Sequence, residues 1–269
     1  MTAERLTIIV DWSAASLPGP GTDSPDQCWI SWREGEAEYF RTRSACIERV
    51  GSLLRAHDGP ALVGFDFPLG YPVLDSGEPI LPCGRGLAAM LAERTEDDDN
   101  NANNRFEVAA ELNREIAGRF GLGHGPFWGC TVEPPEGLTR TRMDSGVPEH
   151  RRCEMELLEL KLRPQSAWKL AYPASVGSQT LTGMPRLHEL ATDDVLGDRV
   201  WFWPFENPPE RPDAVAIAEV WPGLHSFDHI DHPIKDARQV IATRHALHGI
   251  ELRPPRDERE RLEGGILGA

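Results

Sequence analysis

Four carboxylates stand where the order of the chain could gather them. Asp11 closes the apolar run "TIIVD", Asp66 closes "LVGFD", Glu219 comes near the end of "VAIAEV", and Asp236 lies in the first turn of "KDARQVIATRHALHGI". A carboxylate at a buried strand tip is costly unless a cation, a metal or the N–H groups of a turn pair with it. If these strands are neighbours, the acids meet at one edge of a sheet, and like charges that close need divalent cations. Oxygen-only ligands favour Mg²⁺ or Mn²⁺, and two such ions support in-line attack of water on a phosphodiester. Each acid also has a plain structural use. Asp11 and Asp66 could cap turns, Glu219 could face solvent on an edge strand, and Asp236 suits a helix N-terminus.

The elements that must position these acids follow from periodicity. "RLTIIVDW" reads as a central strand, and "QCWISWR" and "EAEYFRT" read as a hairpin turning at Glu34-Gly35. "SACIERVGSLLRAHDG" predicts a helix with Ser44 as N-cap and Ile47, Val50, Leu53 and Leu54 on one face, and "ALVGFDFP" is again a strand. The order is β-β-β-α-β. From 73 to 195 the rhythm breaks into helical patterns at "GRGLAAMLAER", "RFEVAAELNREIAG" and "RCEMELLELKL", with "TEDDDNNANN" expected as a solvated loop. Strands return at "RVWFWPF" and "AVAIAEVWP" before a last helix near Asp236. The division expected is an α/β core from residues 1–72 and 196–269, with 73–195 as a mostly helical insertion capping the same domain.

This order, with acids ending the first and fourth strands, resembles the RNase H-like fold. "VDWSA", "GFDFPLGYP", "SVGSQTLTGMPRL", "AEVWPG" and "KDARQ" further resemble a bacterial family of predicted RNase H-like nucleases, over roughly residues 6–250. The resemblance implies a metal role for Asp11 and Asp66, and extends it to Glu219 and Asp236. Asp11 would bridge two ions, Asp66 and Asp236 would each complete one coordination sphere, and Glu219 would ligate or orient the attacking water. The chain departs from the pattern in carrying Asp66 where many members have Glu, and in its long insertion.

The insertion offers substrate groups in "RPQSAWKLAYPASVGSQTLTGMPRL", which holds Arg163, Gln165, Lys169, Ser175, Ser178, Gln179 and Arg186. Backbone N–H groups near Gly177 and cations such as Lys169 could hold a phosphate, or the stretch could be a solvated loop. Ser13, Lys169, Gln179, Arg186 and Lys235 are the residues expected at a substrate. The tryptophans near proline suit packing, or stacking on the bases of a single strand.

The net charge of −15, with 43 acidic residues against 28 basic ones, repels long nucleic acid. That leaves open a small phosphorylated substrate or a brief contact with nucleic acid, and the substrate expected is a phosphodiester in short or single-stranded nucleic acid. Five cysteines without a CxxC pair point to a reducing cytoplasm, and no run is long and apolar enough to span a bilayer. Two other functions fit the residues. One is a non-catalytic RNase H-like module that binds nucleotide or nucleic acid. The other is a transition-metal hydrolase built on "HSFDHIDH", with His225, Asp228, His229, Asp231 and His232.

Overall fold

The computed structural model describes residues 4–173 and 175–269, so residues 1–3 of the expected core and Ala174 of the insertion lie outside the described residues. Six strands form one mixed sheet: β1 (Leu6–Asp11), β2 (Cys28–Ser31), β3 (Glu38–Phe40), β4 (Ala61–Phe65), β5 (Val200–Phe202) and β6 (Val215–Glu219). Their spatial order is β3-β2-β1-β4-β6-β5. The pairs β1/β2 and β2/β3 are antiparallel, while β1/β4, β4/β6 and β5/β6 are parallel. One helix, α1 (Arg43–Arg55), separates β3 from β4, which gives the expected β-β-β-α-β order. Its N-cap is Thr42, whose hydroxyl accepts the Ala45 N–H, and not Ser44.

Between β4 and β5 the chain forms α2 (Gly84–Ala92), α3 (Arg105–Phe120), α4 (Arg152–Glu159) and α5 (Gly177–Thr192). The fourth of these runs through "GSQTLTGMPRL", where Gly and Pro argue for a loop. Tertiary packing overrides that local preference: Leu181, Met184 and Leu187 are fully buried, and Gly183 lets the helix approach the Phe67 ring so closely that an added Cβ would lie 2.3 Å from it. The chain ends with α6 (Lys235–Leu247) and α7 (Glu258–Glu263).

The two-residue period of the strands divides the core. Ile8, Val10, Phe65 and Ile217 face the larger cluster beneath α1, α2, α3 and α5. Ile9, Leu62, Ala216 and Ala218 face the other side, where α6 packs through Ala237, Val240 and Leu247. The polar run after α2 is not simply solvated. Asp97 is buried between Arg43 and Arg186, and the Asn101 side chain and backbone hold Arg43 in place. Among the described residues no helix is long and apolar enough to cross a membrane.

Candidate active site

The parallel register sets Val10 beside Phe65, so the next residues, Asp11 and Asp66, are neighbours across two central strands. Strand parity puts both on the face that α6 covers, and Asp236, in the first turn of α6, stands over the same place. All three line one open cavity of about 720 Å³. Three of the expected acids therefore converge.

The carboxyls of Asp11 and Asp66 are close enough to shift each other's titration. Asp66 Oδ1 also accepts the Trp12 N–H at 2.7 Å. Neither acid forms an ion pair with a cationic side chain among the described residues, although arginines elsewhere are extensively paired. Burial is the first reason that both titrate high. Asp11 is raised further by the charges of Asp66 and Asp236, and Asp66 is lifted to about 7 despite the Trp12 N–H that opposes the rise. Asp236 is also raised by burial, partly offset by the Asp26 N–H, which donates to its Oδ2 at 2.7 Å.

The strand tip is held by α5. Gln179 Nε2 donates to the Trp12 carbonyl, and the buried Trp12 indole donates to Thr182 Oγ1 at 3.3 Å. Gly177 is needed for packing, because an added Cβ would lie 2.4 Å from the Ala167 carbonyl oxygen, and its own N–H already donates to Lys169 O at 2.9 Å. That amide is not available to a phosphate.

Glu219 departs from the expectation of a fourth ligand. It pairs in register with Phe65, which turns its side chain to the opposite face from Asp11 and Asp66. There Arg151 grips it with two bonds of 2.6 and 2.7 Å and also pairs with Glu154, all three side chains being buried. On the acid face the next position of this strand is Val220, an apolar core residue. Glu219 is a structural anchor, with its pKa raised by burial and held back by Arg151.

The expected substrate residues divide in the same way. Ser13, Gln179 and Lys235 line the cavity. Lys169 does not: its ammonium donates to Gln165 Oε1 and Pro173 O, so it braces the rim. Arg186 does not either, being held by Asp97 and Glu189. Of the tryptophans, Trp29, Trp168, Trp201 and Trp203 are core residues, Trp12 is buried with part of it at the cavity wall, and Trp221 lines the cavity. The histidine-rich stretch is an open loop in which His232 accepts the Ile234 N–H and meets the Trp29 ring edge-on.

Among the cavity residues that carried no sequence expectation of a site role are Arg105 at the start of α3 and Gln27 beside β2. A basic residue opening a helix works against the helix dipole and is a signal of sorts. It is unspecific, because Arg43, Arg152 and Lys235 open helices too. Among the described residues no group of three or more His, Cys, Asp or Glu side chains is already arranged to hold a metal ion. No protein-family model matches this chain, and no curated protein or solved structure matches it either.

Proposed function

We propose that this chain is a metal-dependent phosphodiester hydrolase of RNase H-like architecture, acting on short or single-stranded nucleic acid. The observation that carries the reading is the convergence of Asp11, Asp66 and Asp236 on one open cavity without a cationic partner for the Asp11–Asp66 pair. Two buried carboxyls on neighbouring strand ends, both resisting ionisation, are a donor set that a hard divalent cation would relieve. Asp11 and Asp66 would hold Mg²⁺ or Mn²⁺, with Asp236, whose Oδ1 has no hydrogen bond among the described residues, contributing from α6. The metal would supply Lewis-acid stabilisation of charge and a more acidic bound water.

The chain's own groups support the rest. Trp12 N–H fixes Asp66, Gln179 and Thr182 fix Trp12, and α6 is seated by its apolar face, so the acids sit on rigid elements. Lys235 adds a positive charge at the cavity wall against the repulsion that a phosphate would meet from the acids. The free thiols of Cys28, Cys46, Cys83, Cys130 and Cys153 suit a reducing cytoplasm.

The test is hydrolysis of short single-stranded DNA and RNA with Mg²⁺ or Mn²⁺, and of bis(p-nitrophenyl) phosphate as a bare diester. Asp11→Asn preserves shape, removes one charge and should lower metal-dependent turnover by at least 100-fold, an effect of about 2.7 kcal/mol or more on the barrier. Unchanged turnover in Asp11→Asn refutes the assignment. Binding without any hydrolysis by the wild type moves the chain to the non-catalytic binding module.

A further inference from the structure

Many arginines of this acidic protein are held in ion pairs, although Arg5, Arg41, Arg114, Arg238 and Arg244 have none among the described residues. Arg43 is engaged by Asp97, Arg85 by Glu206, Arg151 by Glu154 and Glu219, Arg152 by Asp257 and Arg253 by Glu260. Arg105 and Arg163, both lining the cavity, have no ion pair among the described residues. Arg163 is exposed and solvated, whereas Arg105 is partly buried at the cavity wall without a carboxylate partner, and that arrangement needs an explanation.

Arg105 is the better defined. Its Nε donates to Ser178 Oγ at 3.0 Å, and its Nη1 donates to Ser16 Oγ at 2.8 Å and Asn103 Oδ1 at 2.6 Å. Every acceptor is neutral. The Nη2 group, which is not sealed from solvent, has no protein acceptor among the described residues. The guanidinium is thus fixed in orientation from three segments and still lacks a counter-charge. Burial, reinforced by the nearby charge of Arg43, depresses its pKa to about 10. That is the condition in which an incoming anion gains most. The same cavity is lined by Arg163 and Ser175, while the Tyr172 hydroxyl is taken by Cys130 O and the Gln165 amide donates to Arg163 O.

We infer that Arg105, with Arg163 and Ser175, forms a phosphate-binding subsite separate from the Asp11–Asp66 pair, which holds a second phosphate of the substrate. A planar fork with a free Nη2 matches a tetrahedral oxyanion better than an ammonium would. Separation from the acids is what charge requires, since a phosphate with no cation beside it is repelled by Asp11, Asp66 and Asp236. The identity of that phosphate as part of a nucleic acid rests on the hydrolase reading; the subsite itself does not. The phosphate could be a terminal monoester or the next internal diester, and the two are distinguished by the ligand chosen.

The experiment is calorimetric titration with inorganic phosphate in EDTA at constant ionic strength. It is repeated with a 5′-phosphorylated dinucleotide and with an unphosphorylated trinucleotide. Arg105→Gln should weaken phosphate binding at least tenfold, Arg105→Lys should restore only part of it, and Asp11→Asn should leave it unchanged or tighter. Tighter binding of the phosphorylated dinucleotide that disappears in Arg105→Gln assigns a terminal monoester. The same loss on the trinucleotide assigns an internal diester. Equal affinities of wild type and folded Arg105→Gln for all three ligands, or no binding of phosphate by the wild type, overturns the inference. If Arg105→Gln does not fold, Arg163→Gln and Ser175→Ala decide: both must weaken phosphate binding, and two unaffected variants overturn the subsite. Hydrolysis of bis(p-nitrophenyl) phosphate, which carries no second phosphate, reports separately on the acid site.

Discussion

Asp66→Asn should make the metal-free protein more stable at pH 8, with a smaller gain at pH 5. The Asp66 carboxyl is neutral in the folded state up to about pH 7, whereas in the unfolded chain it ionises near 3.8. Between those values the folded protein binds the extra proton, so its stability falls as pH rises and the contribution is gone above the folded value. A rise from 3.8 to about 7 is roughly three pH units, equivalent to about 4 kcal/mol at 1.36 kcal/mol each. Most of this is lost between pH 5 and 8. Solvent at the cavity mouth and the coupling to Asp11 reduce it, so a gain of about 1–3 kcal/mol is expected for the amide at pH 8.

Asparagine is close in shape to the protonated acid, and its Oδ1 can still accept the Trp12 N–H, so the substitution changes charge with little change in packing. Urea unfolding followed by tryptophan fluorescence, in EDTA at pH 5, 6, 7 and 8, measures the difference directly. A variant that is less stable than the wild type at pH 8, or a difference that does not vary with pH, would refute the account of the acid pair. It would also remove the electrostatic reason for a cation there.

Three further outcomes follow from the same geometry. Millimolar Mg²⁺ or Mn²⁺ at pH 8 should raise the wild-type Tm and have no such effect on Asp11→Asn, as read by differential scanning fluorimetry. Glu219→Ala leaves Arg151 buried beside Glu154 alone and should cost about 3–5 kcal/mol in urea unfolding, while the folded fraction keeps its bis(p-nitrophenyl) phosphate turnover. Gly177→Ala forces a methyl against the Ala167 carbonyl and should cost about 1–3 kcal/mol by the same measurement, with loss of substrate affinity as the start of α5 shifts.

The opening half of the fold was legible because it is built from local signals. β-branched runs end at Asp11 and Asp66, a six-residue connection turning at Glu34-Gly35 joins β2 to β3, and an amphipathic helix follows. The site was legible to the extent that it depended on strand ends. Asp11 and Asp66 each close a parallel strand and are adjacent by register, a relation that the sequence suggests whenever two such strands are neighbours. Glu219 shows where that reasoning stops. One residue of register decides the face, and the apolar Val220 takes the acid-face position beside Asp66 while Glu219 turns to Arg151. Helix α5 was hidden because Gly177, Gly183 and Pro185 speak locally for a loop, and only the fit against Ala167 and Phe67 makes them helical. Arg105 was hidden because a cation's partners are a matter of tertiary structure.

The distribution of charge links the two halves of the cavity. A chain at −15 has no general affinity for polyanions, so recognition of a phosphate must come from cations kept free of the surrounding carboxylates. The fold keeps them free by geometry. Arg186 and Lys169, in the segment that looked most like a phosphate loop, are tied to Asp97 and to backbone and amide oxygens, while Arg105, Arg163 and Lys235 stand at the cavity wall without carboxylate partners. The three come from α3, the loop after α4, and α6, so no single stretch of sequence displays them together. The insertion is thereby more than a cover for the sheet. It carries α5, which locks the Trp12 backbone beside Asp66, and α3, which brings Arg105 to the same cavity, so acids from the sheet and cations from the helices meet in one site.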